Sequence, residues 1–143
     1  MLPKIVKFKF DNKKLLQEAF KIRLKVFVEE QNTDKEEEFD GLDDEATHFL
    51  IFFEGKPAGT SRVRITKEGI KIERVAVYKS FRGKNIGIDL VQYIMNEYIP
   101  AKKKIYLNSQ VQAMLFYEKL GFKKVGEWFY EANIEHYKMV YSE

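Results

Sequence analysis

The residues with the clearest chemical potential are Arg82-Gly83-Lys84-Asn85-Ile86-Gly87, which join a strand-like run to a helix-like one. A turn at a helix N-terminus presents backbone N–H groups that have no acceptor inside the helix, and the helix dipole favours negative charge there. Arg82 and Lys84 add cationic side chains, and Gly83 and Gly87 let backbone approach a ligand closely. A phosphate is the natural occupant of such a turn. The chain has no cysteine, which excludes a thiol nucleophile, a thiolate metal site and a disulfide framework. Its two histidines, His48 and His136, do not define a metal site without carboxylates, and no metal is expected.

At 143 residues, with 45% hydrophobic and 33% charged residues, the chain reads as one globular domain over residues 1–143. The opening MLPKIVKFKF has no long apolar run and shows no secretory signal. No stretch approaches the ~18 apolar residues of a membrane span. A cytoplasmic location without a membrane partner is expected.

The net charge of +3 conceals an asymmetry. Glu29 to Glu45 holds ten acidic residues and one basic residue, Lys35. The basic remainder suits a polyanion or a ligand with several phosphates. The acidic segment argues against a nucleic-acid face and suits a cationic substrate or partner. It reads equally well as a solvated charged loop.

Periodicity supplies the elements that must position the turn. Ile5 to Phe10 alternates and predicts a strand; Asp11 or Asn12 can cap a helix over Lys13 to Val28. The acidic stretch reads as a loop with one helical turn. Thr47 to Glu54, Ala58 to Thr66 and Ile70 to Val77 are three strands with tight links, which implies an antiparallel meander. Ile70 and Ile72 share one phase of the alternation, while Val75 and Val77 share the other. That shift predicts a β-bulge near Glu73-Arg74; a strand buried on both faces is the alternative. Ile88 to Tyr98 is a helix, Lys104 to Asn108 a strand, and Val111 to Leu120 a helix stopped by Gly121. Phe122 to Tyr130 and Ile134 to Tyr141 are closing strands. An open edge at Tyr137 to Val140 suits pairing with a second copy, a homodimer.

Three segments, IERVAVYKSFRGKNIG, LNSQ and AMLFYEKLGF, occur in order within roughly residues 47 to 129. Together they resemble the GNAT superfamily of acyl-CoA-dependent N-acyltransferases. The turn is similar to that superfamily's Arg/Gln-x-x-Gly-x-Gly/Ala motif, and AMLFYEKLGF to its tyrosine-bearing helix ending in Gly-Phe. IRLKVFVEEQ, EFDGLDDEATHFL and EANIEH extend the resemblance, to the bacterial ElaA/YjcF-like subgroup, over nearly the whole chain. Asn85 stands where the motif has its first glycine; asparagine is the residue that best tolerates a left-handed backbone in glycine's place.

The resemblance implies an α/β (α+β) fold, a mixed and mostly antiparallel sheet of six to seven strands flanked by about four helices. It implies acetyl-CoA as cosubstrate and transfer of the acetyl group to the primary amine of a small molecule or peptide. On this basis Val75, Ala76 and Val77 hold the pantetheine arm through their backbone, and the N–H groups from Arg82 to Gly87 take the pyrophosphate. Asn108 bonds the pantetheine amides or simply ends a strand. Phe116 and Lys119 fall with the cofactor site, although an exposed helix lysine is the plainer reading of Lys119.

Tyr117 matches the general acid of the superfamily, against the alternative of a packed tyrosine. Glu73 matches its base, with burial raising the carboxyl pKa; the alternative is a salt bridge with Arg62 or Arg74. An amine that arrives neutral needs no base at all. Arg23, Glu29, Asp40, Asp43 and Arg62 are acceptor-side candidates, with His48 and His136 as substrate-pocket candidates. Arg23 lies on the apolar stripe of the first helix and wants a carboxylate, from Asp40 or Asp43, which would pin the acidic loop over the sheet. Two other functions fit parts of the pattern. Arg23 to Phe27, Asp40, Asp43 and a later strand arginine also resemble acyl-homoserine-lactone synthases, and a non-catalytic acyl-CoA-binding module would share the fold.

Overall fold

The computed structural model describes residues 2–142. Strand β1 is Lys4–Lys9, and helix α1 follows over Lys13–Arg23, capped by the Asn12 side chain on the N–H of Leu15. Helix α1 buries Leu16, Ala19, Ile22 and Arg23 against the sheet. Its α-helical winding stops at Arg23 rather than Val28, and Leu24–Glu30 continues as a π-helix. The Gln31 N–H accordingly reaches back five residues, to the carbonyl of Val26 at 3.2 Å. The wider turns keep Val26 buried and bring Phe27, Glu30 and Gln31 to a cleft. The acidic stretch forms a single helical turn, α2, Lys35–Glu38, and a 3₁₀ turn at Asp43–Glu45.

The meander follows as β2 Thr47–Phe53, β3 Lys56–Ile65 and β4 Ile70–Val77. Helix α3, Ile86–Tyr98, crosses over to β5, Ile105–Gln110. Helix α4 is Met114–Glu118, shorter than the expected Val111 to Leu120 because Val111–Ala113 winds as 3₁₀. Gly121, with φ +97°, makes the left-handed stop. Strands β6, Phe122–Glu131, and β7, Ile134–Tyr141, close the fold.

The seven strands run in the order β1-β2-β3-β4-β5-β7-β6, antiparallel except for β4 and β5. The expected edge at Tyr137 to Val140 is therefore wrong: β7 is inserted between β5 and β6, with partners on both sides, and the free edges are β1 and β6. Helix α1 covers one face through Phe8, Leu16, Ile22 and Leu50. Helices α3 and α4 cover the other through Phe49, Ile51, Leu90, Ile94 and Tyr117. Phe49, Leu50 and Ile51 are consecutive and fully buried because β2 lies between these two layers. Each such side chain contributes about 1.5–3 kcal/mol of burial.

Two irregularities open the sheet. Thr60 pairs with Ala76 and Arg62 with Glu73, so two residues of β4, Arg74 and Val75, face one of β3. This is the bulge that the phase shift predicts, and Arg74 adopts φ +57° to make it. Beyond it, β4 and β5 pair only at Ile70–Ile105 and Lys71–Tyr106 and then diverge.

Candidate active site

The divergence leaves a cavity of about 780 Å³ between β4 and β5. Tyr78 donates its N–H to Ala58 across β3, and alternation along the ladder then directs the N–H and C=O of Ala76 at Thr60. Ala76 is thus committed to β3, contrary to its expected part in holding a pantetheine arm. Alternation turns the backbone groups of Val75 and Val77 the other way, toward the cavity. Opposite them, Asn108 of β5 carries a buried Oδ1 with no hydrogen-bond partner among the described residues. An unsatisfied buried acceptor in a slot between two strands fits an amide N–H brought by a ligand, which is what a pantetheine arm supplies.

The turn at the mouth has the expected shape. Asn85 sits at φ +61°, ψ +18°, left-handed, and its side chain makes no capping bond to α3. The N–H groups of Ile86, Gly87 and Ile88 precede the first intrahelical bond, from Asp89 to Asn85. Gly83 has open space where a Cβ would lie; a Cβ on Gly87 would meet the Phe116 ring at 3.3 Å. Lys84 is exposed beside this turn, while Lys119 is exposed at the C-terminal cap of α4 and does not line the cavity. Arg82 is already engaged: its guanidinium forms two bonds to Glu30, at 3.0 and 3.1 Å, and its Nε donates to the Val77 carbonyl at 3.0 Å.

Tyr117 reaches the cavity from α4 and is 8% exposed. Burial pushes its phenol well above the ordinary tyrosine range. Glu73 differs from expectation. Burial pushes its carboxyl up, but Arg64, Arg62 and Lys71 overcome that and bring it down to about 2. The contacts are Arg62 Nε at 3.0 Å, Arg64 Nε at 2.6 Å and Lys71 Nζ at 3.0 Å. The raised pKa expected of a base is therefore replaced by a depressed one, and the salt-bridge alternative holds with Arg64 and Lys71 in place of Arg74.

The acidic loop is pinned as a buried ion network. Arg23, 1% exposed, bonds Glu38 at 2.9 Å and Asp43 at 2.7 Å. Arg62, also 1% exposed, bonds Asp40 at 2.7 Å and Asp43 at 2.9 Å as well as Glu73. Both arginines are buried, committed to these acids and absent from the cavity lining, which corrects their acceptor-side assignment. Arg74, at the bulge, pairs with Glu38 at 3.0 Å and Asp40 at 3.2 Å. Burial opposes ionisation of Asp40, but the bonds from Arg62 and the N–H of Leu42 hold its carboxyl far below the usual range.

The remaining candidates divide. His48 is buried, stacks on Phe8 at 5.5 Å and bonds the Asp43 carbonyl through Nε2 at 2.9 Å; burial lowers its pKa. It does not line the cavity, so its pocket assignment is corrected to a structural one. Glu29 is exposed and pairs with Lys25 outside the cavity, whereas its neighbour Glu30 lines it. His136 does line the cavity. Sequence reasoning missed the amide chain Gln31–Gln110–Gln112, with bonds of 2.8 and 2.9 Å, which ties the π-helical segment to β5. The π-helix itself was the missing signal, since α-helical geometry would not turn Gln31 this way.

A sheet forked between its two parallel strands, with a donor-rich turn at the mouth and a buried tyrosine on the next helix, is the arrangement that the resemblance to acyl-CoA-dependent transferases implies. A family model, the GNAT acetyltransferase domain, matches residues 12–143, and the chain belongs to that family. It is 38% identical over 130 residues to the uncharacterized protein YyaT of Bacillus subtilis, covering 87% of this chain and 86% of that one. It is 35% identical over 131 residues to the uncharacterized N-acetyltransferase YjcF of the same organism, covering 90% and 94%. The fold matches Escherichia coli ElaA with a TM-score of 0.88 at 24% identity, over 99% of this chain and all of that one. An aminoglycoside 6'-N-acetyltransferase complexed with coenzyme A matches with a TM-score of 0.75 at 20% identity, over 96% and 95%. The chain is a GNAT N-acetyltransferase with an acetyl-CoA-binding fold. Among the described residues no helix is long and apolar enough to cross a membrane.

Proposed function

We propose that the chain acts as one acyltransferase unit that moves an acetyl group from acetyl-CoA to the primary amine of a small-molecule or peptide acceptor, by direct attack of the amine. The observation that best supports this reading is the orphaned Asn108 Oδ1 in a slot whose walls are strands that diverge. Bound acetyl-CoA supplies an activated acetyl group and a thiolate leaving group. The chain's own residues do the rest. Asn108 accepts an amide N–H, and the backbone groups of Val75 and Val77 extend β4 toward the arm as an added strand would. The N–H groups of Ile86, Gly87 and Ile88, with Lys84, take the diphosphate. Tyr117 keeps its proton at neutral pH because burial disfavours phenolate, and passes it to the departing sulfur. Glu73 fixes the positions of Arg62, Arg64 and Lys71 rather than taking a proton. Glu37 and Glu131, exposed acids on the cavity wall, favour a cationic acceptor.

The test is a thiol-release screen with acetyl-CoA against polyamines, amino sugars and peptides, with calorimetry alongside. Asn108→Ala is expected to weaken acetyl-CoA binding by about tenfold, the value of one hydrogen bond. Tyr117→Phe is expected to lower kcat by about 10²-fold with binding changed less than about twofold. Binding without thiol release for every amine would favour a non-catalytic acyl-CoA-binding module, and release of homoserine lactone would favour a synthase.

A further inference from the structure

We infer that His136 is the proton acceptor for the incoming amine, an inference that rests on the acyl-transfer reading. The residue is 6% exposed and lines the cavity from β7. Nδ1 lies 2.7 Å from the carbonyl oxygen of Ile134. A carbonyl oxygen only accepts, so Nδ1 carries the hydrogen and the neutral ring keeps a lone pair on Nε2. Phe129 stacks on the ring at 5.9 Å and 22°, which fixes its plane. Nε2 is 3.7 Å from Oε2 of Glu131, outside hydrogen-bond range but near enough to give the protonated ring a counter-charge. Glu131 of β6 is the ionisable group that faces it; its cross-strand neighbours, Gln110 of β5 and Phe129 of β6, carry no charge. Tyr117 of α4 shares the same cavity.

Apart from Glu37, which is exposed, the other carboxylates of the wall are spoken for. Glu30 holds Arg82, Glu38 holds Arg23 and Arg74, Asp40 holds Arg62 and Arg74, and Glu73 holds three cations. Protonating any of these breaks an ion pair, whereas protonating His136 forms one with Glu131.

The step balances as follows. An ammonium acceptor gives one proton to Nε2 of His136, which later releases it to water. The neutral amine attacks the acetyl carbonyl carbon, the C–N bond forms, and the C–S bond breaks. Sulfur takes the hydroxyl proton of Tyr117, and the second proton on nitrogen returns to the tyrosine oxygen. The sum is ammonium plus thioester to amide, thiol and one proton in solution.

Acceptors of different basicity test this. With 1,4-diaminobutane, largely protonated at pH 7, His136→Gln is expected to lower kcat/KM by about 10²-fold, the usual worth of a general base. With methoxyamine, neutral at pH 7, the same variant is expected to lose less than about threefold. The loss with the diamine is expected to shrink as pH rises. Independently of turnover, nitrogen-15 spectra of the neutral wild-type ring are expected to show the Nδ1–H tautomer. In a folded variant, equal losses for the two amines would overturn the assignment, and an Nε2–H tautomer in the wild type would overturn it whether or not the variant folds. A wild type that releases no thiol with either amine would instead overturn the acyl-transfer reading, and this inference with it.

Discussion

Glu73 illustrates how a single carboxylate is defined by its neighbours. It sits on the strand beside the proposed thioester position, yet three cations hold it at about 2 against an ordinary value of 4.5. A carboxyl depressed in the folded state stabilises the fold above its unfolded pKa and loses that contribution as pH falls through its folded pKa. Glu73 should therefore contribute on the order of 3 kcal/mol above about pH 4.5, fading toward pH 2. Urea denaturation of Glu73→Gln should show a loss of about 3–5 kcal/mol at neutral pH, because Arg62 and Arg64 are left short of a counter-ion. It should also show a flatter stability curve between pH 4.5 and 2. A variant as stable as the wild type at pH 7 would remove the ion network from the account. Residue types gave Arg23 away as a buried cation in need of an acid, since an arginine on an apolar helical stripe has few other options. They did not reveal which acid each arginine takes, because the acidic loop offers ten candidates and the pairing is set by three-dimensional placement.

At the scale of elements, the bulge and the turn were both legible for the same reason: each breaks a simple rule. A strand whose apolar residues change phase needs an extra residue, and Arg74 at φ +57° provides it. A glycine position filled by asparagine points to a left-handed backbone, and Asn85 adopts φ +61°. Because the Asn85 side chain makes no capping bond, Asn85→Gly loses nothing and relieves the left-handed strain. Calorimetry should find its acetyl-CoA affinity unchanged or up to several-fold tighter; a tenfold loss would argue against diphosphate docking at this turn. The π-helical winding of Leu24–Glu30 was not legible. Its apolar spacing fits an α-helix, and the widening arises from tertiary demands, with Val26 in the core and Gln31 bonded to β5. The edge assignment at Tyr137 to Val140 failed for a related reason. Strand order is a long-range property, and nothing local in β6 or β7 states which of them inserts beside β5.

Across the whole molecule, the acidic loop, the first helix and the meander meet in one continuous set of ion pairs. Arg23, Arg62 and Arg74 each reach the loop from a different element. The two halves of the site are thus built on shared parts, and Arg82 is where they touch. It grips Glu30, at the end of the π-helical segment, and the Val77 carbonyl, on the wall of the slot. On the proposed reading, a diphosphate at the neighbouring turn competes with Glu30 for this guanidinium and loosens its tie to the π-helical segment. Loading of the acyl donor is then expected to ease entry of the amine. Kinetics should accordingly be sequential and ordered, acyl donor first: dead-end amine analogues should bind only after coenzyme A, and random-order patterns would show that the clasp is ornamental.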